Sequence, residues 1–531
     1  MQFFPTEPTR CMSNPPSPAA PASSAVPAPA PRALLALLFI ALTAYAIFLA
    51  RNSTNVAGGS DSSGYLNSAR LLASGHLQGE LRVPAEFGPQ SRTDLIFFTP
   101  FGFYPFLENN LAPPTYPVGL PLLFAAAGKL VGWQLATFFV EIGGAVAAIL
   151  LCYLIARELG VSPALALAGA TAFGACPIVI FISIQPLSDT LAATWTLASV
   201  FSALRARRHL GWAVACGVVF SIAVLVRSTN AVLLPALIIF LGLNWRRLAL
   251  FIAGGIPGAL WFGYYNHTLF GSAMTTGYGN IYEDFSRVYV PGALVDFAKW
   301  LSLLLPAVLL ILPLAAPSAR KFRNRFLVAL LAWFTAGISF FACVAFSHEA
   351  WWSLRYLLPT IPALILAGLL GVEALALRFP LPRRSTLLNA TAALLAIWAI
   401  AGSFYWTKKF GVLFIPHQEQ AYADSTLAAR ETFPKGSLVV SGTTCGALYA
   451  YTDFAILRAD IINAPRFAEY VALAHAAGRP VCALLFEDEE KTAFQEHCPG
   501  DWKRVRTVRN LGLWRLTPPP LTCSNNITLA K

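Results

Sequence analysis

Apolar runs close to the length of one bilayer crossing recur along most of the chain, separated by short polar stretches. A helix of roughly 18–20 apolar residues spans a hydrocarbon core about 30 Å thick. The runs fall at 33–50, 134–156, 162–183, 187–204, 210–226, 229–243, 247–266, 298–316, 326–346, 357–377 and 386–405. The pattern predicts a polytopic α-helical membrane protein with about eleven transmembrane helices across 33–405. A further apolar piece, 117–131, begins Pro117-Val118-Gly119-Leu120-Pro121. It is short and broken by proline, and reads as a juxtamembrane helix rather than a crossing. Two longer polar regions interrupt the series, 51–133 and the tail 406–531. In the tail, Ser437–Ser441 and Pro480–Phe486 read as buried strands, Phe467–Ala477 as a helix, and Leu513–Leu516 as a short last strand, which makes a small extramembrane α/β domain. Residues 1–32 are rich in Pro, Ala and Ser and lack the apolar content to fold, so they are expected to be a disordered tail.

Composition sharpens this picture. The chain is 56% hydrophobic and 12% charged, against about 25% charged in a soluble domain. The formal net charge of +12 does not point to nucleic acid, because the basic residues gather at the ends of apolar runs. They are Arg32, Arg157, Arg205-Ala206-Arg207-Arg208, Arg246-Arg247, Arg320-Lys321-Phe322-Arg323-Asn324-Arg325, Arg378 and Arg383-Arg384. Placing these on the cytoplasmic side puts the N-terminus inside and the C-terminus outside. A twelfth crossing at 117–131 would move Arg157 and every later cluster outside, against that rule. Eighteen residues separate Arg208 from Arg227, and another eighteen separate Arg227 from Arg246. Each interval is about 27 Å of helix, so Arg227 falls at the outer interface. There it avoids most of the roughly 2.5–3.5 kcal/mol that a mid-membrane arginine costs. The outer face then collects the loop 51–133, turns near 184–188 and 227–230, the loop 267–297, the strip 347–356 and the tail. The expected home is a bacterial inner membrane, with the tail periplasmic.

Of the cysteines, Cys152, Cys176, Cys216 and Cys343 lie in apolar runs and read as packing residues. Cys445, Cys482, Cys498 and Cys523 show no zinc-ligand spacing, and in an oxidising compartment a disulfide among them is expected.

The candidate chemistry lies on the outer face. Asp61 opens the pattern Asp61-x3-Tyr65-x3-Ala69-x2-Leu72-x2-Gly75, which places Tyr65, Ala69 and Leu72 on one helical face. Asp61 reads equally as a helix cap or as a catalytic carboxylate. Asp189, at the head of the run 187–204, reads either as a catalytic acid or as a complement to the helix dipole. Arg227 and Arg355 are the outer arginines nearest membrane level. Their planar guanidiniums suit a phosphate, or alternatively a lipid headgroup. Lys129 is a weaker candidate of the same kind. His348 and Glu349 are substrate-contact candidates, and His267 and the pair Glu283-Asp284 are weaker ones. No acidic cluster has metal-ligand spacing, which favours a metal-free mechanism over one using a divalent cation.

These residues resemble a family, the GT-C fold membrane glycosyltransferases, and within it the protein-mannosyltransferase and aminoarabinose-transferase-like group. Asp61 to Gly75 resembles the family's first outer loop. Pro113-Pro114-Thr115-Tyr116-Pro117-Val118-Gly119 resembles its juxtamembrane segment, and Pro186-Leu187-Ser188-Asp189 the segment carrying its second aspartate. Leu225-Val226-Arg227-Ser228-Thr229-Asn230 is similar to its basic outer turn, and Arg355-Tyr356-Leu357-Leu358-Pro359 to its Arg-Tyr-Leu-Leu-Pro signature. The resemblance implies a sugar carried on a polyprenyl phosphate, transferred on the outer side of the membrane to a glycan, lipid or protein acceptor. It implies Asp61 as general base with inversion at the anomeric carbon, and Arg227 and Arg355 on the leaving phosphate. Tyr65 and Tyr116 become substrate-contact candidates. The sequence departs from the pattern at Ser62, where many relatives carry a second acid, and no lysine stands beside Pro113-Pro114. Two other function classes remain on the sequence alone, a flippase or transporter of lipid-linked intermediates and a non-catalytic membrane scaffold.

Overall fold

The computed structural model describes residues 30–279, 283–318 and 324–517. The expected disordered segment up to residue 29, the basic positions Arg320, Lys321 and Arg323, and Cys523 lie outside these residues. The protein is mostly helical. Each apolar run of the sequence lies on helix, but few of the runs make one long uninterrupted rod. Five helices are long and apolar enough to cross a membrane by themselves: Arg32–Asn52, Trp133–Glu158, Trp245–Phe270, Arg325–Ala342 and Leu381–Lys409. The number rises to seven if each of two bent pairs counts as one span. This is fewer than the eleven runs, and proline explains part of the difference. Pro163–Gly174 and Pro177–Ser183 meet at a 58° bend, and Trp351–Leu357 and Ile361–Ala376 at 83°. Proline lacks the N–H a helix interior needs, so Pro177 and Pro362 stand in the first turns of helices here and Pro359 in the turn between two. Other runs are short, such as Gly211–Val226 with 16 residues.

The helices pack around a large apolar core that includes Phe173, Phe240, Phe297 and Trp333. Trp333 is buried, and its indole N–H donates to the Pro359 carbonyl at 3.0 Å, tying one helix to the break that precedes Ile361. At one end of the bundle the basic residues pair with buried acids. Glu158 meets Arg205 at 3.1 Å and Arg208 at 3.0 Å, and Glu373 meets Arg384 at 3.2 Å. Arg205 ends the 19-residue helix Ser188–Ala206, whose other end carries Asp189. The two ends are about 28 Å apart.

The segment after the first helix is not a bare loop. It contains the helix Ser60–Ala73, a two-stranded ribbon pairing Gly79 with Ala112, and the helix Gly119–Val131. The tail holds a five-stranded sheet in the order 455–458, 438–441, 481–486, 511–516, 502–508. The first three strands are parallel, with Leu438 opposite both Ala455 and Val481. The last two run antiparallel, with Leu484 opposite Leu513. The helices Cys445–Tyr451 and Ala464–Ala476 connect the parallel strands.

Tail and early segment share one core. Phe87 and Phe98 pack with Leu438, Leu457, Tyr470 and Leu485. Arg82 donates to the carbonyls of Thr452 at 2.6 Å and Tyr449 at 3.0 Å and lies over the Tyr449 ring. Arg479 pairs with Glu86, and Tyr470 donates to Gln90 at 2.6 Å.

The expected disulfide is not formed among the described residues, where Cys445, Cys482 and Cys498 are free and buried. Cys445 packs beside Val439 and Leu448, and Cys482 lies on a central strand between two neighbours. Cys498 packs in the separate cluster of Phe87 and Tyr470, whereas Cys445 and Cys482 share one cluster as free thiols.

Candidate active site

The helix Ser60–Ala73 begins where the chain turns through Gly58-Gly59. Its N-cap is Gly59, whose carbonyl accepts from the Ser63 N–H at 3.0 Å and the Ser63 hydroxyl at 2.8 Å. Asp61 is therefore not the cap. It sits in the first turn, where the helix dipole favours a carboxylate, and its side chain is free to face a cavity of about 360 Å³.

Several elements bring polar groups to that cavity. Tyr116 comes from the segment before Gly119–Val131, which is held by the Thr115 N–H donating to the Gly102 carbonyl at 2.9 Å. Its hydroxyl donates to Asp61 Oδ1 at 2.7 Å and lies 3.0 Å from the Ser60 hydroxyl. Gly64 makes room for it, since a Cβ there would lie 2.4 Å from the Tyr116 ring and 2.8 Å from Gly102 Cα. Arg355, on the short helix Trp351–Leu357, donates to Asp61 Oδ2 at 2.7 Å. Arg227 ends Gly211–Val226 and forms an ion pair with Asp189. Both guanidiniums lie over the Tyr356 ring, that of Arg227 5.5 Å and that of Arg355 5.1 Å from its centroid. Tyr65 donates to the Ser188 hydroxyl at 2.8 Å and so joins the Asp61 helix to the start of Ser188–Ala206. Thus Asp61, Asp189, Arg227, Arg355, Tyr65 and Tyr116 all line one chamber, with Tyr278 and Asp284 completing it.

Accessibility separates the two acids. The Asp61 side chain keeps 28% of its surface open, whereas Asp189 keeps 3%. Asp61 is the more open of the two, and Asp189 is paired with Arg227. Burial pushes the Asp61 carboxyl up, but the charge of Arg355 and the hydrogen bonds from Tyr116 and Arg355 outweigh it and hold the group below its usual value. Burial, and then the negative charge of Asp61, push the Tyr116 hydroxyl well above its ordinary range, so it stays a donor.

Other candidates lie elsewhere. Lys129 is exposed in the last turn of Gly119–Val131. His348 stacks toward Tyr289, with ring centroids 6.2 Å apart, and Glu349 is exposed. His267 is exposed near the end of Trp245–Phe270. None of these lines the chamber. Among the described residues there is no group of three or more His, Cys, Asp or Glu side chains arranged to hold a metal ion.

One carboxylate was not singled out from the sequence. Glu419, on the tail helix Ile415–Thr432, accepts from the Gly59 N–H at 3.3 Å, beside the turn that precedes Asp61. Gly58 allows this approach, because a Cβ there would lie 1.8 Å from the Glu419 carboxylate. Burial pushes the Glu419 carboxyl up to about 7, against the pull of the Gly59 N–H and the Ser62 hydroxyl. Where the family pattern has a second acid next to the first aspartate, this chain has Ser62, and an acid from the tail reaches the same helix end.

No protein-family model matches the chain, and no curated protein does. Solved structures do match in fold. The aminoarabinose transferase ArnT from Cupriavidus metallidurans, in a crystal structure bound to undecaprenyl phosphate, aligns with a TM-score of 0.57 at 13% identity, over 92% of this chain and 98% of that one. The oligosaccharyltransferase AglB from Archaeoglobus fulgidus, in complex with an inhibitory peptide and a dolichol phosphate, aligns with a TM-score of 0.55 at 16% identity, over 86% of this chain and 70% of that one. The arabinofuranosyltransferase AftD from Mycobacteria aligns with a TM-score of 0.52 at 14% identity, over 93% of this chain and 40% of that one. All are GT-C fold proteins, and this chain shares their membrane fold.

Proposed function

We propose that the protein is an inverting glycosyltransferase that moves a sugar from a polyprenyl phosphate to an acceptor hydroxyl. The observation that carries this is the chamber itself. An accessible carboxylate lies against one guanidinium while a second guanidinium lies over the same Tyr356 ring, and all line a single cavity.

The chemistry follows from competition for Arg355. With the chamber free of donor, Arg355 and Tyr116 hold Asp61 as a low, weakly basic carboxylate. A donor phosphate draws Arg355 toward its own oxygens, because guanidinium binds phosphate in the same bidentate way as carboxylate. Asp61 then loses its strongest stabilising charge and becomes a better base. The acceptor oxygen attacks the anomeric carbon from the face opposite the phosphate. The C–O bond to phosphate breaks with its electron pair, the acceptor proton passes to Asp61, and polyprenyl phosphate leaves against Arg227 and Arg355. Asp189 takes no proton and fixes the direction of Arg227.

The same reading takes all eleven apolar runs as crossings. The basic end of the bundle faces the cytoplasm, and the chamber and tail face the periplasmic side of a bacterial inner membrane. The ArnT and AglB structures with lipid phosphates support the donor class, since this chain shares their fold. A role in cell-envelope glycan assembly fits that placement.

The test is transfer from a polyprenyl-phosphate sugar by the purified protein. Asp61→Asn should lower the rate by roughly 10²–10⁴ while folding normally, and Arg227→Gln should weaken polyprenyl-phosphate binding. Unchanged transfer in Asp61→Asn removes the base assignment. Movement of the lipid-linked sugar across vesicles without transfer would instead make the protein a flippase, and neither activity would leave a scaffold.

A further inference from the structure

A second cavity, of about 640 Å³, lies between the helices Arg32–Asn52, Trp133–Glu158, Pro163–Gly174 and Leu381–Lys409. Its volume falls within the range of sites that hold organic ligands. It shares no lining residue with the Asp61 chamber. The wall is apolar, built of residues such as Leu38, Ile149 and Phe404.

Four residues with hydroxyls interrupt that wall, Tyr45, Thr171, Ser403 and Thr407, and two of them stand out. Tyr45 and Thr407 both line the cavity, both hydroxyls are buried, and neither finds a hydrogen-bond partner among the described residues. Burying a hydroxyl unpaired is costly, and a partner brought by a bound molecule is one way to satisfy it. Thr407 is the clearer case. A helical threonine ordinarily donates to the carbonyl one turn back, as Thr171 in the same wall does to Leu167 at 2.9 Å. Thr407 is 7% exposed and makes no such bond. The next residue, Lys408, also lines the cavity and is exposed at its rim. The site thus offers a long apolar wall, a hydroxyl donor one turn from the helix end, and an ammonium beside it.

We propose that this cavity binds a resident glycerophospholipid, with one acyl chain along the apolar wall, an ester carbonyl accepting from the Thr407 hydroxyl, and the phosphate against Lys408. The order of groups along the lipid matches their order along the protein. Hydrocarbon meets Leu38 and Ile149, ester meets Thr407, and phosphate meets Lys408. A hydrocarbon alone would leave the hydroxyl and the ammonium unanswered. The lipid is resident rather than a reactant, because no wall of the cavity reaches Asp61. The inference therefore stands apart from the transfer chemistry proposed above.

The full chain, extracted in mild detergent and washed of loosely held lipid, is examined by native mass spectrometry and titrated with dioleoyl phosphatidylglycerol. Wild type should retain one glycerophospholipid. Thr407→Val and Lys408→Gln should each weaken retention about tenfold, the scale of one lost charge-assisted or ester hydrogen bond. Ala41→Trp, at an exposed position on the cavity wall, should abolish retention by filling the space while leaving the thermal transition in place. Dioleoylglycerol, which lacks the phosphate, should bind wild type and Lys408→Gln equally. Retention that is equal in all these variants marks ordinary annular lipid and overturns the proposal. So does a wild-type protein that carries no glycerophospholipid. Because the readout is lipid retention, it is independent of whether Asp61→Asn transfers sugar.

Discussion

At the scale of single residues the chamber depends on close approach as much as on charge. Gly64 faces the Tyr116 ring at a distance no side chain tolerates. In Gly64→Ala, Tyr116 must move off Asp61 Oδ1, and a displacement near 1 Å in a reacting group can cost on the order of 10²-fold. Transfer assays should show a fall of at least about tenfold, with a loss of stability of about 1–3 kcal/mol from the clash with Gly102.

Glu419 allows a different test. Its carboxyl titrates at about 7 in the folded protein, against 4.5 for an ordinary glutamate. A raised value means that the folded state holds the proton more tightly. Its contribution is then fully present below about 4.5 and is lost as pH rises through about 7. The loss amounts to roughly 3 kcal/mol at most. Glu419→Gln stays neutral and can still accept from Gly59. Its thermal transition should hold steady from pH 5 to about pH 8 while that of the wild type falls. Parallel curves would show that Glu419 does not titrate in this window.

The legibility of these groups follows from where they stand in the sequence. Asp189, Arg227 and Arg355 each lie at or beside the end of an apolar run, so the depth of the run also fixes the depth of the residue, and Asp61 is marked by the helical pattern that it opens. Glu419 has no such marker. It meets Gly59 across 360 residues, and nothing in a polar helix of the tail signals that approach.

At the scale of elements, hydrophobic pattern located helices well and their breaks less well. The run 162–183 reads as one span, yet it bends by 58° at Pro177. The buried strands Leu438–Ser441 and Val481–Phe486 were visible as apolar runs between turns. Trp502–Val508 was not, because it is an edge strand exposed along most of its length and carries no alternation of apolar and polar residues. The cysteines failed as a guide because spacing and compartment say nothing about where a thiol sits in a packed core. Cys445, Cys482 and Cys498 should therefore resist a thiol reagent in the folded protein and react once it is unfolded. A reductant should leave the unfolding temperature unchanged. A drop of several degrees would reveal a disulfide after all.

At the scale of the whole molecule, the tail and the segment after the first helix behave as one body. Arg82 is a good probe of the joint, with its hydrogen bonds to Thr452 and Tyr449 and its place over the Tyr449 ring. Arg82→Met keeps the bulk but loses the donors, leaves two tail carbonyls short of partners, and should cost about 2 kcal/mol or more. Limited proteolysis should then cut within 51–133 faster than in wild type. Equal cutting rates would show that the two parts hold together without that contact.

The joint also sets an order of events at birth. Arg479 meets Glu86 across 393 residues, and Asn67, on the helix of Asp61, donates to the Gly446 carbonyl across 379. At roughly 5–20 residues per second, a ribosome needs on the order of 20–80 seconds to make the stretch between such partners. Through that interval the early segment lacks the strands that complete its core. Phe87 and Phe98 wait uncovered, exposed to proteases and to other nascent chains. The last part of the polypeptide to emerge is thus the part that closes the first, and a ribosome that stalls before the tail leaves a chain whose chamber never assembles.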